Sequence, residues 1–192
     1  MSPLTVRLLI VSGEGQPKQP WADVTLATAP PVEDLLELER QVCFALAVAS
    51  RSVIGVYRPV LEPLRLTHPQ YLVMLALWQY APLSVTALGR LLQLEPATLS
   101  PLLKRLEAVG YVERRRVPGN ERALRLTLTP QGTALRERAL EVPRTVMQRL
   151  RLDLADAERL HAVLTEVIAK AQQVDGLDRP VLPSERDGLP LD

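Results

Sequence analysis

The sequence predicts a mainly α-helical fold with one small β-hairpin. Three observations lead there. Apolar residues recur at helical spacing over most of the stretch from Val32 to Val174. A pair of alternating segments interrupts it between Tyr111 and Leu128, and proline and glycine mark the joints. The chain has 192 residues, 47% of them hydrophobic and 23% charged, which suits one globular domain with tails and not a disordered chain.

Residues 1–32 hold Pro3, Pro17, Pro20, Pro30 and Pro31 with Gly13 and Gly15, so an irregular N-terminal extension is expected, with Val6 to Val11 a short strand or arm at most. That apolar run is short, contains Arg7 and lies far from Ala27-Thr28-Ala29, which argues against a signal peptide. No stretch is expected to be long enough to span a membrane.

From Val32, residues Leu35, Leu38, Val42, Ala45, Ala49, Val53 and Val56 follow a helical period up to Tyr57, and Pro59 sets the expected end. A second helix is expected from about Pro69 to Tyr80, with Pro69 in its first turn. Ser84 is a good N-cap for a short helix over Val85 to Leu92. Glu95-Pro96 opens the next helix, which stops at Gly110 and should bend or loosen at Pro101. Tyr111 to Val117 and Ala123 to Leu128 alternate around the turn Pro118-Gly119-Asn120. Thr129-Pro130 starts a helix to about Leu150 with a kink at Pro143, and Asp153 starts a last helix to about Val174. The tail, residues 175–192, is expected to be irregular.

Net charge is only +1, but residues 104 to 125 carry seven basic residues against three acids, so one surface is built to face a polyanion. Short helix, turn, second helix and basic hairpin is the plan of a winged helix-turn-helix. A helix in the major groove needs small polar residues near its start and basic ones along its flank. Thr98, Ser100, Pro101, Lys104 and Arg105 fit that requirement, with Leu99, Leu102, Leu103 and Leu106 on the other face. Arg122 at the hairpin tip suits a narrow minor groove. Arg114 and Arg116 are candidates for phosphate contact; the alternative is that they only solvate the hairpin.

Several stretches together resemble the MarR family of winged-helix regulators: Leu66 to Leu75, Thr98 to Glu107, Asn120-Glu121-Arg122 and Leu126 to Gly132. With Gln41-Val42-Cys43-Phe44-Ala45-Leu46 and Val56-Tyr57-Arg58-Pro59, the chain looks like the organic-hydroperoxide-sensing OhrR branch. The likeness covers about residues 33–174. It implies a homodimeric repressor of double-stranded, pseudo-palindromic operator DNA, with dimerisation helices at about 33–62 and 130–174 and a DNA-binding lobe at about 67–128. It implies that an organic hydroperoxide oxidises Cys43 and that the DNA is then released. Two departures stand out. The family's wing usually reads Asp-x-Arg, whereas here it is Asn120-x-Arg122. Of the tyrosines that surround the branch's cysteine, Tyr57 matches one, while Ala47 and His68 replace others.

Cys43 is the one cysteine of the chain, so neither an internal disulfide nor a zinc framework can form, which fits a reducing cytoplasm. By itself a lone thiol is either a small buried hydrophobe or a reactive group. If its helix begins near Val32, Arg40 one turn away supports a thiolate and Glu39 opposes it. Tyr57 lies 14 residues on, roughly 21 Å along such a helix, so it can serve only the other subunit's thiol. His68 can donate to a thiolate or pair with it as a cation; otherwise it only opens the second helix. Tyr71 completes the expected neighbours. An oxidised Cys43 has no partner in its own chain, so its fate is a mixed disulfide with a small thiol as second reactant, a sulfenamide, or overoxidation. The alternative is a regulator released by a phenolic or carboxylate ligand, with Cys43 structural. No enzyme activity, cofactor or metal site is expected, since His68 and His161 are too scattered to be ligands.

Overall fold

The structure is a computed structural model. It describes residues 36–117 and 120–173, and the side chains of these except 117 and 120–124. The Val6 to Val11 arm, the Pro118-Gly119 turn and the tail therefore lie outside the described residues. The chain divides into two compact units, Met1–Ser52 and Val53–Asp192.

The first unit corrects one expectation. The first helix does not begin near Val32. A 3₁₀ turn, Leu38–Arg40, is followed by Gln41 in extended conformation, and helix α1 then runs over Val42–Leu61. Gln41 acts as the cap. Its carbonyl accepts the Ala45 N–H at 3.1 Å, and its side-chain amide donates to the Glu37 carbonyl at 3.4 Å. Such a side-chain bond to nearby backbone competes with helix continuation. α1 also passes through Pro59 and ends at Leu61, later than expected.

The segment Val42–Leu64 is long and apolar enough to cross a membrane, with a mean hydropathy of 1.3. That corrects the expectation that no stretch reaches this length.

In the second unit a 3₁₀ turn, Glu62–Leu64, leads to α2, His68–Tyr80. Thr67 is its cap, and both the Thr67 N–H and hydroxyl donate to the Gln70 side-chain oxygen, at 2.8 and 2.9 Å. Strand β1 is Leu83–Ser84, α3 is Val85–Leu92 and α4 is Pro96–Val109. Ser84 Oγ accepts the Ala87 N–H at 3.0 Å, the cap expected from its residue type. Gly110 ends α4 at φ +83°, a conformation glycine adopts without a Cβ penalty. α4 runs unbroken through Pro101. The Ala97 carbonyl loses its usual donor there, at an exposed position where water can serve.

The hairpin is β2, Val112–Val117, and β3, Asn120–Leu128. The sheet has three antiparallel strands in the order β1-β3-β2, because Leu83 and Ser84 pair with Leu126 and Arg125. The expected single long helix from Pro130 to Leu150 is two helices, α5 over Pro130–Ala139 and α6 over Glu141–Leu150. Pro143 causes the break, but upstream of itself. It offers no N–H to the Ala139 carbonyl, and its ring collides with that carbonyl in a continuous helix. α7 is Leu154–Gln172, capped by the Asp153 carboxylate accepting from the Asp156 N–H at 2.7 Å.

The core runs from Leu61, Leu64 and Leu66 through Val73, Met74 and Leu77 to Leu88, Leu99, Leu103, Leu106 and Leu126. It ties α2, α3 and α4 to the sheet. Among the residues of α7, none is buried.

Candidate DNA-binding surface and sensor residues

The second unit presents α4 as an exposed ridge. Leu99, Leu103 and Leu106 are fully buried on its inner side. Thr98, Ser100, Pro101, Lys104 and Arg105 are all exposed. The Ser100 hydroxyl donates back to the Pro96 carbonyl at 2.9 Å. Residues expected from sequence to read DNA therefore share one solvent-facing surface.

The hairpin arginines divide. Arg114 Nε lies 2.8 Å from a Glu107 carboxylate oxygen, an ion pair that ties β2 to α4. Arg115 pairs with Glu113 at 2.6 Å on the other face. Arg116 is exposed and makes no ion pair among the described residues. The side chain of Arg122 lies outside the described residues. Sequence reasoning missed Glu107 as a partner, because seven positions and a turn separate it from Arg114.

Three expected sensor residues come together. The Tyr57 and His68 rings meet edge to face with centroids 5.0 Å apart, and Tyr57 and Tyr71 are 6.1 Å apart. Tyr71 continues to Trp78 at 6.4 Å, and the Trp78 indole donates to the Gly132 carbonyl at 2.9 Å. Burial, with Tyr57 beside it, pushes the Tyr71 hydroxyl up to about 12, and burial raises Tyr57 too. Both stay neutral hydrogen-bond donors at physiological pH.

Burial lowers His68 below its usual 6.5, which favours the neutral ring over the cation offered by the sequence reading. The unfolded chain takes up this proton at about pH 6.5 and the folded chain only below that. Stability is therefore complete above pH 6.5 and falls as acid protonates the unfolded state first. Urea midpoints measured from pH 7.5 down to 5.5 should decline in the parent and decline less in His68→Phe, which keeps the ring contact. Parallel curves for the two would contradict this.

Cys43 and Arg40 belong to the first unit. Cys43 is exposed, the second residue of α1. Arg40 lies in the preceding 3₁₀ turn, with Glu37 3.9 Å away. The helical spacing that would set Arg40 and Glu39 one turn from Cys43 does not hold, because α1 begins only at Val42. Cys43 stands instead in the first turn of α1.

A groove of about 290 Å³ in the second unit is lined by Tyr71, Leu75, Trp78, Gln79, Arg136, Ala139, Leu140 and Pro143. Its wall carries residues from both sides of the α5–α6 junction, Arg136 and Ala139 before it and Pro143 after it.

Residues 66–124 match the model of the MarR family. The chain is 36% identical over 140 residues to the organic hydroperoxide resistance transcriptional regulator of Bacillus subtilis, covering 73% of this chain and 95% of that protein. It is 35% identical over 133 residues to the regulator SarZ of Staphylococcus saprophyticus, covering 69% of this chain and 91% of that protein. Among solved structures it resembles reduced AbfR bound to DNA, with a TM-score of 0.60, 30% identity, and coverage of 73% of this chain and 99% of that one. A chain that matches nearly the whole length of a transcriptional regulator at this identity, with the same helix-turn-helix and wing, belongs to the MarR family of DNA-binding transcriptional regulators.

Proposed function

We propose that the chain is a cytoplasmic homodimeric repressor that releases its operator when an organic hydroperoxide oxidises Cys43. The observation that carries this reading is the exposed thiol in the first turn of α1 in a chain with one cysteine. The likeness to a hydroperoxide resistance regulator supports it. The thiolate attacks one peroxide oxygen, and the O–O bond breaks. Sulfur takes up the terminal OH as a sulfenic acid, and the departing alkoxide takes a proton from water to become an alcohol. With no second cysteine in the chain, the sulfenic acid condenses with a small thiol and loses water.

The dimer reading rests on unpartnered apolar surface. Val42, Leu46 and Ile54 on α1, and Leu154, Leu160, Val163, Val167 and Ile168 on α7, are exposed. Helices this apolar and this exposed need a cover, and a second copy supplies one. Tyr57, His68 and Tyr71 would then serve a Cys43 of the partner. Lys104, Arg105, Arg116 and Arg122 are the proposed phosphate and groove contacts, with Thr98, Ser100 and Pro101 facing bases. Arg114 would have to leave Glu107 to join them.

Cys43→Ser tests the redox step. It is expected to bind the operator as the parent does and to keep it when cumene hydroperoxide is added, where the parent lets go. Release from the serine variant would instead favour a second reading. In that reading a phenolic or carboxylate ligand enters the groove between Tyr71, Trp78 and Arg136, whose aromatic walls and single cation suit such a molecule.

A further inference from the structure

We propose that α4 reads thymine through its methyl group, using Ala97 and Pro101, and makes no hydrogen-bonded fork to any base in its first two turns. The inference rests on the proposed docking of α4 in the major groove. The fully buried Leu99, Leu103 and Leu106 define the inward direction of the helix. At 3.6 residues per turn, the ridge opposite them is Ala97, Pro101, Lys104 and Ala108, and all four are exposed. That ridge goes deepest into a groove. Over its first two turns it carries one methyl group and one pyrrolidine ring.

The flanks add little that could grip a base edge. Thr98 brings a hydroxyl and a methyl. The Ser100 hydroxyl donates its hydrogen bond to the Pro96 carbonyl. From Pro96 to Leu102 there is no asparagine, glutamine, arginine or lysine, the residues that hold adenine or guanine at two points. An apolar ridge has one complementary feature on the major-groove edge of the four bases, the thymine methyl. Lys104 and Arg105 follow one turn later, where the helix moves outward toward phosphate. The competing account is that α4 touches no base and that selectivity comes from duplex shape.

Replacing thymine with uracil tests this cleanly, because it removes the methyl and leaves the hydrogen-bonding edge intact. A duplex is first selected by the full chain from a randomised pool. Each thymine in its protected segment is then exchanged for uracil, and affinity is measured by fluorescence anisotropy at fixed salt. One or two thymines per half-site should each weaken binding about fourfold, the effect of one buried methyl, with the others neutral. Pro101→Ala should shrink that penalty while leaving the salt dependence unchanged. This variant is not expected to unfold, since it removes a proline from within a helix; a thermal melt checks it.

Equal affinity for thymine and uracil duplexes, in a protein whose salt dependence still falls with Lys104→Ala, would overturn the methyl reading and leave the docking of α4 standing. A uracil penalty undiminished in Pro101→Ala would overturn the assignment to this ridge. Binding indifferent to Lys104→Ala would remove the docking and the inference together.

Discussion

Replacing Gly132 with alanine is expected to destabilise the protein by at least about 3 kcal/mol, at or above the upper end of ordinary overpacking, and to abolish DNA binding. A Cβ built there falls 2.0 Å from the Tyr111 carbonyl oxygen and 2.9 Å from its carbon. Both are backbone atoms, so no side chain can turn aside. Neither strand of the chain can retreat easily. The Tyr111 carbonyl accepts the Thr129 N–H at 3.1 Å, and the Thr129 hydroxyl donates to the Gly110 carbonyl at 2.6 Å. The Thr129 hydroxyl oxygen also accepts the Gly132 N–H at 3.0 Å, while the Gly132 carbonyl accepts from the Trp78 indole. Separating α5 from the start of β2 therefore breaks several hydrogen bonds at once. Urea denaturation gives the stability and anisotropy gives the affinity. A midpoint within error of the parent would refute the close approach.

Leu103→Ala is expected to cost about 2 to 5 kcal/mol. Leu103 is fully buried, on the face of α4 opposite its exposed ridge. Truncation leaves a cavity beneath the helix, which other buried residues fill only in part. The cost of the cavity should appear in urea unfolding. DNA affinity should fall by more than the unfolded fraction explains, because a helix loosened on its inner side holds its outer ridge less firmly. Affinity that tracks the folded fraction alone would show that α4 keeps its orientation without this side chain.

Helices with strong caps were legible in the sequence. Ser84, Asp153 and Gly110 each mark an end the structure keeps, because a cap is a local bargain between one side chain, or one φ angle, and two or three backbone groups. Errors arose where local signals conflicted. Leu35 and Leu38 continue the helical period, yet Gln41 interrupts it by capping with its own backbone and side chain. Pro143 was visible as a breaker, but its effect falls near the residue four positions earlier, where the carbonyl sits. Strand β1 was missed because two residues have no period to detect. The exposed side of α4 was legible from the spacing of its leucines and its polar and basic residues. The pairing of Arg114 with Glu107 was not, and neither was the hydrogen bond from Trp78 to Gly132. Contacts across such separations depend on how elements pack, which no local pattern encodes.

The short ladder between β1 and β3 has a mechanical consequence. Ser84 caps α3 through its side chain and pairs with Arg125 of the wing through its backbone. The Arg114–Glu107 pair joins the same wing to α4. Helices and hairpin are thus geared together, with no free rotation between the two parts that would grip a duplex. A torque on α4 would then turn the hairpin with it, so the two would meet or leave a duplex as a single latch and not as two fingers that loosen one at a time.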